Sequence, residues 1–146
     1  MEILFRDAAE VAFDDWLPLW LGYVGNNEDA LAPGLPRATW SRLARRDGLH
    51  GLVACGPTAP VGFAHFFFHP STYHVRDACT LEDLFVAPAA RGQGVARALI
   101  ERVAGHARER GAPALHWKAR AANAAANALY RRIATQMDVL SYRLAL

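Results

Sequence analysis

Leu81-Glu82-Asp83-Leu84-Phe85-Val86-Ala87-Pro88-Ala89-Ala90-Arg91-Gly92-Gln93-Gly94-Val95-Ala96-Arg97 is the stretch on which the fold turns. It opens on apolar, β-favouring residues, passes through a loop of small ones, and enters an amphipathic helix near Val95. A strand–loop–helix junction of this kind exposes free backbone N–H groups at the helix N-terminus, where the macrodipole favours an anion. Gly92, Gly94 and Ala96 let a bulky diphosphate approach the main chain without Cβ collisions. The stretch therefore predicts a phosphorylated cofactor.

Three phosphate-binding designs compete for it. A P-loop needs Gly-Lys-Ser/Thr, and the chain contains no such triplet. The dinucleotide pattern G-x-G-x-x-G/A is nearly met by Gly92-Gln93-Gly94-Val95-Ala96-Arg97, but Arg97 occupies the third small position and obstructs close helix–strand packing. The acidic residue expected about twenty positions on is also missing, because the next strand reads Ala114-Leu115-His116-Trp117-Lys118. The third design, R/Q-x-x-G-x-G/A, is matched by Arg91-Gly92-Gln93-Gly94-Val95-Ala96. Asn123-x-x-Ala126-x-x-Leu129-Tyr130 follows it, and Val61-Gly62-Phe63-Ala64-His65-Phe66-Phe67-Phe68 precedes it. On these motifs the chain resembles the GNAT superfamily of acyl-CoA-dependent N-acyltransferases. With Leu81-Glu82-Asp83-Leu84-Phe85-Val86 it resembles the diamine (spermidine/spermine-type) acetyltransferase branch.

Composition fits one globular domain over residues 1–146, with 53% apolar and 21% charged residues. No apolar stretch is long enough to span a bilayer, and the start lacks the basic and apolar regions of a signal peptide. Cys55 and Cys79 form neither a CxxC pair nor a disulfide framework, which suits a reducing cytoplasm. A net charge of +2, with basic residues dispersed among acids, gives no reason to expect a nucleic-acid partner.

Periodicity and punctuation order the elements. Residues 3–6 read as a strand. Asp14 or Asp15 is expected to cap a helix carrying Trp16, Trp20 and Val24, with Pro18 in its first turn and Gly25 as its stop. A second helix over about 36–47 would bury Trp40, Leu43 and Ala44. Strands over 49–55 and 61–69 are joined by Gly56-Pro57-Thr58-Ala59-Pro60, and a third covers 81–86. The helix from Val95 places Leu99, Val103 and Ala107 on one stripe with Ile100 beside them. A strand at 114–118, a helix at 123–134 and a strand at 139–144 complete a mixed α/β order. The resemblance implies a GNAT-like central mixed sheet of about six or seven strands, flanked by about four helices.

The chemistry sets its own demands. A lysine-like amine has a pKa near 10.4, so about one molecule in 2,500 is neutral at pH 7. A carboxylate in the site can collect the ammonium and accept its proton, and Glu82 is the candidate. Strict alternation puts Glu82, Leu84 and Val86 on one face and Asp83 and Phe85 on the other. Only one of the two carboxylates then enters the site, unless a bulge intervenes. The plainer reading is a pair of solvated strand-end charges.

The resemblance implies more. Tyr130 corresponds to the family's general acid, which protonates the departing thiolate; a phenol retains its proton at neutral pH. The backbone of Leu84, Phe85 and Val86 would pair with the pantetheine of acetyl-CoA and polarise the thioester oxygen. Arg91, Gly92, Gln93, Gly94, Val95, Ala96 and Arg97 would cradle the diphosphate. Asn123 would hold the pantetheine arm, cap its helix, or both. Glu82, Asp83 and Asn27 would face the acceptor.

No metal is required. His65 and His69, four apart on one strand, are roughly 13 Å apart and cannot share an ion. Cys79 has no sequence partner that would make it an acyl carrier.

Two departures matter. Ala134 and Thr135 stand where the family often has Gly-Phe, and Asn26-Asn27, followed by Glu28 and Asp29, stand where diamine enzymes tend to place an acid. The acceptor is therefore left open among a small amine, an amino acid, a polyamine and a peptide amine. Family members are often dimers, which allows a homodimer here. Two functions remain: an acetyl-CoA-dependent N-acetyltransferase working by direct attack in a ternary complex, or a non-catalytic acyl-CoA-binding sensor or assembly domain. Turnover separates them.

Overall fold

The structure, a computed structural model, describes residues 1–25, 27 and 32–146. Its elements run β1 (Leu4–Asp7), α1 (Phe13–Val24), α2 (Leu35–Arg45), β2 (His50–Cys55), β3 (Pro60–Ser71), β4 (His74–Val86), α3 (Val95–Glu109), β5 (Leu115–Trp117) and α4 (Ala124–Ile133). Among the described residues the strands form one sheet in the order β1-β2-β3-β4-β5. The first four are antiparallel, and β5 lies parallel to β4. The sheet is mixed, as expected, but has five strands rather than six or seven. Residues 134–146 form no strand, so the one expected at 139–144 is missing from the single chain.

Alternation along β3 divides the interior into two cores. Ala64 and Phe66 face α3, where they meet Leu81, Leu99 and Val103. Phe63 faces the other way, with Val53, towards Trp16, Trp20 and Leu43 of α1 and α2. The α3 stripe is as the periodicity predicts, since Val95, Leu99, Ile100, Val103 and Ala107 are its buried residues.

In β4 the alternation breaks. His65 pairs with Asp83 and Phe66 with Leu81, leaving Glu82 as an extra residue without a partner on β3. The bulge shifts the side-chain phase by one. Leu81, Leu84 and Val86 therefore all contribute to the α3 side, while Phe85 packs on the α1 side. Glu82 does not share a face with Leu84 and Val86, as strict alternation requires; it is exposed at the bulge.

The helix starts differ from expectation. α1 begins at Phe13 after Ala12, with no side-chain cap, and Asp14 and Asp15 lie inside its first turn, where they favour the dipole. Pro18 consequently falls in the second turn and not the first. The N–H it lacks leaves the Asp14 carbonyl without its helical donor, at an exposed position where water reaches it. α2 stops at Arg45 instead of continuing to 47, because Arg46 turns left-handed at φ 53° and its side chain pairs with Asp7 at 3.1 Å. None of the described helices is long and apolar enough to cross a membrane.

Leu99 has no exposed surface and sits at the centre of the α3-side core. Leu99→Ala should destabilise the fold by about 2–5 kcal/mol, read as a shift in the urea unfolding midpoint at unchanged slope.

Candidate active site

The site begins where β4 loses a neighbour. Its pairing with β5 ends at Leu81↔Trp117, whereas β3 accompanies it to Val86. Beyond Leu81, among the described residues, no strand covers the β5-side edge of β4. The main chain of Leu84, Phe85 and Val86 lies in this uncovered run, which suits an extended ligand added as a strand.

The chain then makes a 3-10 turn at Pro88–Ala90 and enters the glycine loop. Arg91 points back, its Nε donating to the Val86 carbonyl at 2.8 Å, so its side chain ties the loop to the strand end. Gly92 and Gly94 take φ 75° and 80°, and a Cβ at either would meet nothing within 4 Å among the described residues. Both positions therefore need glycine for backbone conformation, and both border open space. Gly94 is the N-cap of α3, and no side chain caps the helix. The first-turn N–H groups are thus left for an outside acceptor, and a diphosphate fits them. Of the remaining loop residues, Gln93 is exposed, Val95 is anchored in the core, Ala96 is half-buried, and Arg97 pairs with Glu101 at 2.9 Å.

On the opposite side of the sheet the bulge turns Asp83 towards α1. Tyr23 donates its hydroxyl to Asp83 Oδ1 at 2.9 Å, and His65 Nδ1 lies 2.9 Å from Asp83 Oδ2. The Trp16 indole Nε1 donates to His65 Nε2 at 3.2 Å. An indole N–H can only donate, so His65 Nε2 is the acceptor and the ring proton sits on Nδ1, aimed at Asp83. His65 is completely buried, stacked on Phe63 at 4.3 Å between ring centroids. Gly51 beside it admits no side chain, since a Cβ there would stand 2.7 Å from Ala8 Cβ and 3.1 Å from Leu43.

Trp20, Phe63 and Phe85 surround Tyr23 with centroids 5.6–6.1 Å away. Burial, then the charge and hydrogen bond of Asp83, push the Tyr23 hydroxyl well above the usual phenol range. Glu82 adds to that shift and Arg120 opposes it, which puts both charges within electrostatic reach of the hydroxyl. Tyr23 therefore stays a donor. The buried Trp20 indole N–H has no hydrogen-bond partner among the described residues.

α4 supplies the third part. Asn123 caps it, its Oδ1 accepting from the Ala126 N–H at 3.2 Å. Tyr130 packs edge-on against Trp117 of β5, with centroids 5.5 Å apart. Burial raises its pKa, so it too keeps its proton. Its hydroxyl has no hydrogen-bond partner among the described residues.

Other candidates separate from this cluster. Asn27 is exposed, and Asn26, Glu28 and Asp29 lie outside the described residues. His69 bonds Thr80 at 3.0 Å and His74 is exposed. Among the described residues no group of three or more His, Cys, Asp or Glu side chains is arranged to hold a metal. Cys79 is fully buried and burial pushes its thiol up to about 11. An open cleft of about 390 Å³ between Phe5, Leu52, Arg102 and His106 includes neither carboxylate of the bulge nor any residue of the glycine loop.

Sequence reasoning leaves His65 as a pocket or surface group and misses Tyr23 and Trp16 as site residues. The available signal was their phase: Trp16, Trp20 and Tyr23 recur at helical spacing, and His65 alternates with Phe63 on the same strand face.

A sheet open beside β4, a glycine loop leading into an uncapped helix and a tyrosine-bearing helix behind β5 define an acyl-CoA-dependent transferase. The family model for the acetyltransferase (GNAT) family matches residues 8–134, and the chain belongs to that family. It is an acetyl-CoA-dependent N-acetyltransferase. It is 33% identical over 131 residues to the D-amino-acid N-acetyltransferase HPA3 of Saccharomyces cerevisiae, covering 88% of this chain and 81% of that one. It is 35% identical over 82 residues to a thialysine N-epsilon-acetyltransferase of Caenorhabditis elegans, covering 56% and 51%. Among solved structures, an aminoglycoside acetyltransferase from an uncultured soil metagenomic sample superposes with a TM-score of 0.85 at 25% identity, over 100% of this chain and 99% of that one. These relatives are acetyltransferases, and the non-catalytic binding reading is not favoured.

Replacing Trp16 by Phe keeps the ring but strands His65 Nε2 in the core. The variant should lose about 1–3 kcal/mol of stability by chemical denaturation, the cost of one unsatisfied buried acceptor.

Proposed function

We propose that this enzyme acetylates the amino group of a small amino acid, with Asp83 fixing the ammonium, Glu82 removing its proton and Tyr130 supplying the proton that the leaving thiolate needs. The observation that carries the reading is the doubly bonded Asp83: with a donor on each oxygen, it presents a fixed negative charge beside Tyr23, Phe63 and Phe85. A carboxylate among aromatic faces suits an ammonium, which gains from both.

Glu82 projects at the bulge, one residue away, with no hydrogen bond among the described residues. Asp83 is already occupied by two donors, whereas Glu82 is free to accept a proton, directly or through water. Arg120, whose charge reaches the same hydroxyl, offers a counter-charge for an acceptor's carboxylate. That pairing favours a zwitterionic amino acid over a long polyamine, in keeping with the D-amino-acid and thialysine acetyltransferases to which the chain is similar.

Acetyl-CoA brings the activated acetyl thioester. The glycine loop would hold its diphosphate on the main-chain N–H groups at the start of α3. The uncovered main chain at 84–86 would align the pantetheine, with one N–H available to a thioester oxygen. Asn123 caps α4, and Tyr130 of that helix packs edge-on against Trp117 of β5.

Steady-state acetylation of D- and L-amino acids, a diamine and a lysyl peptide tests the acceptor. Amino acids should be preferred by at least about tenfold in kcat/KM over the diamine, a difference of about 1.4 kcal/mol. Preference for the diamine would overturn the assignment.

Single variants divide the roles. Tyr130→Phe should lower kcat about 10²-fold with acetyl-CoA affinity unchanged, while Asp83→Asn should act mainly by raising KM for the amine. Glu82→Gln should lower kcat with the KM for the amine little changed. An unaltered rate in Tyr130→Phe removes that residue as the acid.

A further inference from the structure

Beside its buried stripe α3 carries a second one. Arg102, Gly105, His106 and Glu109 recur at i, i+3, i+4 and i+7 and therefore share one helix face. With Phe5, Asp7 and Leu52 of β1 and β2 they line the open cleft of about 390 Å³. That volume lies within the range of small-molecule sites, roughly 300–1,000 Å³. Gly105 stands inside the helix, where glycine is less stable than alanine. It does not take a positive φ, and a Cβ on it would meet nothing within 4 Å among the described residues. Neither backbone conformation nor packing within the chain calls for glycine here. Its missing side chain leaves the cleft unfilled.

The charges around the cleft are unbalanced. Arg102 lies over the Phe5 ring at 4.2 Å, and in an adjoining pocket Arg110 lies over the Phe68 ring at 4.3 Å. Neither guanidinium pairs with a carboxylate among the described residues. Asp7 is already committed, accepting from Arg46 at 3.1 Å and from the Ala9 N–H at 2.8 Å. Two uncommitted arginines therefore face one uncommitted acid, Glu109. His106, against Phe66 at 5.7 Å between centroids, adds a ring donor with no hydrogen bond among the described residues. Stacking on Phe5 occupies the face of the Arg102 guanidinium and leaves its edge N–H donors free.

We propose that this cleft is a second ligand site, for a small carboxylate with an aromatic body. The carboxylate takes the edge of Arg102 as a planar fork, and the ring lies over Gly105 against Phe5 and Leu52. Glu109, two helical turns from Arg102, and the apolar walls oppose a dianion, which selects a single negative charge. The lining includes neither Asp83, Glu82, Tyr130 nor the glycine loop, so the inference does not rest on the acceptor assignment.

The test is an amide NMR titration of the full chain with 3-phenylpropanoate. Amides over 4–7 and 102–109 should shift saturably, with half-saturation at or below about 1 mM. Propanoate, which lacks the body, and 3-phenylpropylamine, which reverses the charge, should bind at least about tenfold more weakly. Arg102→Gln should weaken 3-phenylpropanoate at least about tenfold, and Gly105→Leu, which fills the cleft, should abolish its binding. Both variants should keep the acetyl-CoA affinity of the parent chain. No saturable shift over 102–109, equal binding of the amine, or unchanged affinity in either variant overturns the proposal. Shifts confined to Tyr23, Asp83 and their neighbours put the probe in the acceptor site and overturn it too. Arg102 is exposed, so its variant decides the matter even if Gly105→Leu fails to fold.

Discussion

At position 82 β4 carries one residue more than the stretch of β3 opposite it, and both the α3-side core and the setting of Asp83 in the candidate site depend on that excess. Before the bulge, the odd-numbered residues Cys79 and Leu81 feed the α3-side core; after it the even-numbered Leu84 and Val86 do. Without the shift, Asp83 would enter an apolar core and Leu84 and Val86 would leave it. Both changes are costly, since an unpaired buried carboxylate and two displaced aliphatic side chains each exceed about 1 kcal/mol by a wide margin. The local irregularity thus lets one strand satisfy a hydrophobic core and place a carboxylate.

His65 connects the second core to that carboxylate. It is the one buried polar or charged residue among those described, and each ring nitrogen has a partner. Trp16 fixes the tautomer, Phe63 stacks on the ring, and the Nδ1 proton fixes Asp83. The site is therefore held by packing in α1 and β3 more than by loops. Such support from regular elements keeps a charged group within the small tolerance that catalysis demands.

How far the sequence discloses this differs by region. The α3 stripe, the hairpin partners and the Asn123 cap follow from periodicity and cap chemistry, because each is decided within a few residues. The division between Glu82 and Asp83 does not, since a bulge is a property of two strands in register and no local pattern announces it. Pro18 in the second turn escapes for a similar reason: its cost depends on whether the Asp14 carbonyl meets water, which is a tertiary fact. The segment 139–144 reads as a strand from its alternation, but alternation names a conformation without naming a partner, and in one chain none is supplied.

The uncapped start of α3 has a consequence for the protein as a thermodynamic object. Its terminal N–H groups follow Gly94, which carries no side chain to satisfy them. In the reading proposed above, the anionic ligand that completes the helix is the enzyme's own acyl donor, so binding and folding would share one free-energy account. At a donor concentration a hundred times its dissociation constant, linkage adds about 2.7 kcal/mol to the native state. In a cell the folded fraction, and with it resistance to proteolysis, would then rise and fall with the acetyl-CoA supply, making the abundance of the enzyme a gauge of the metabolite it consumes.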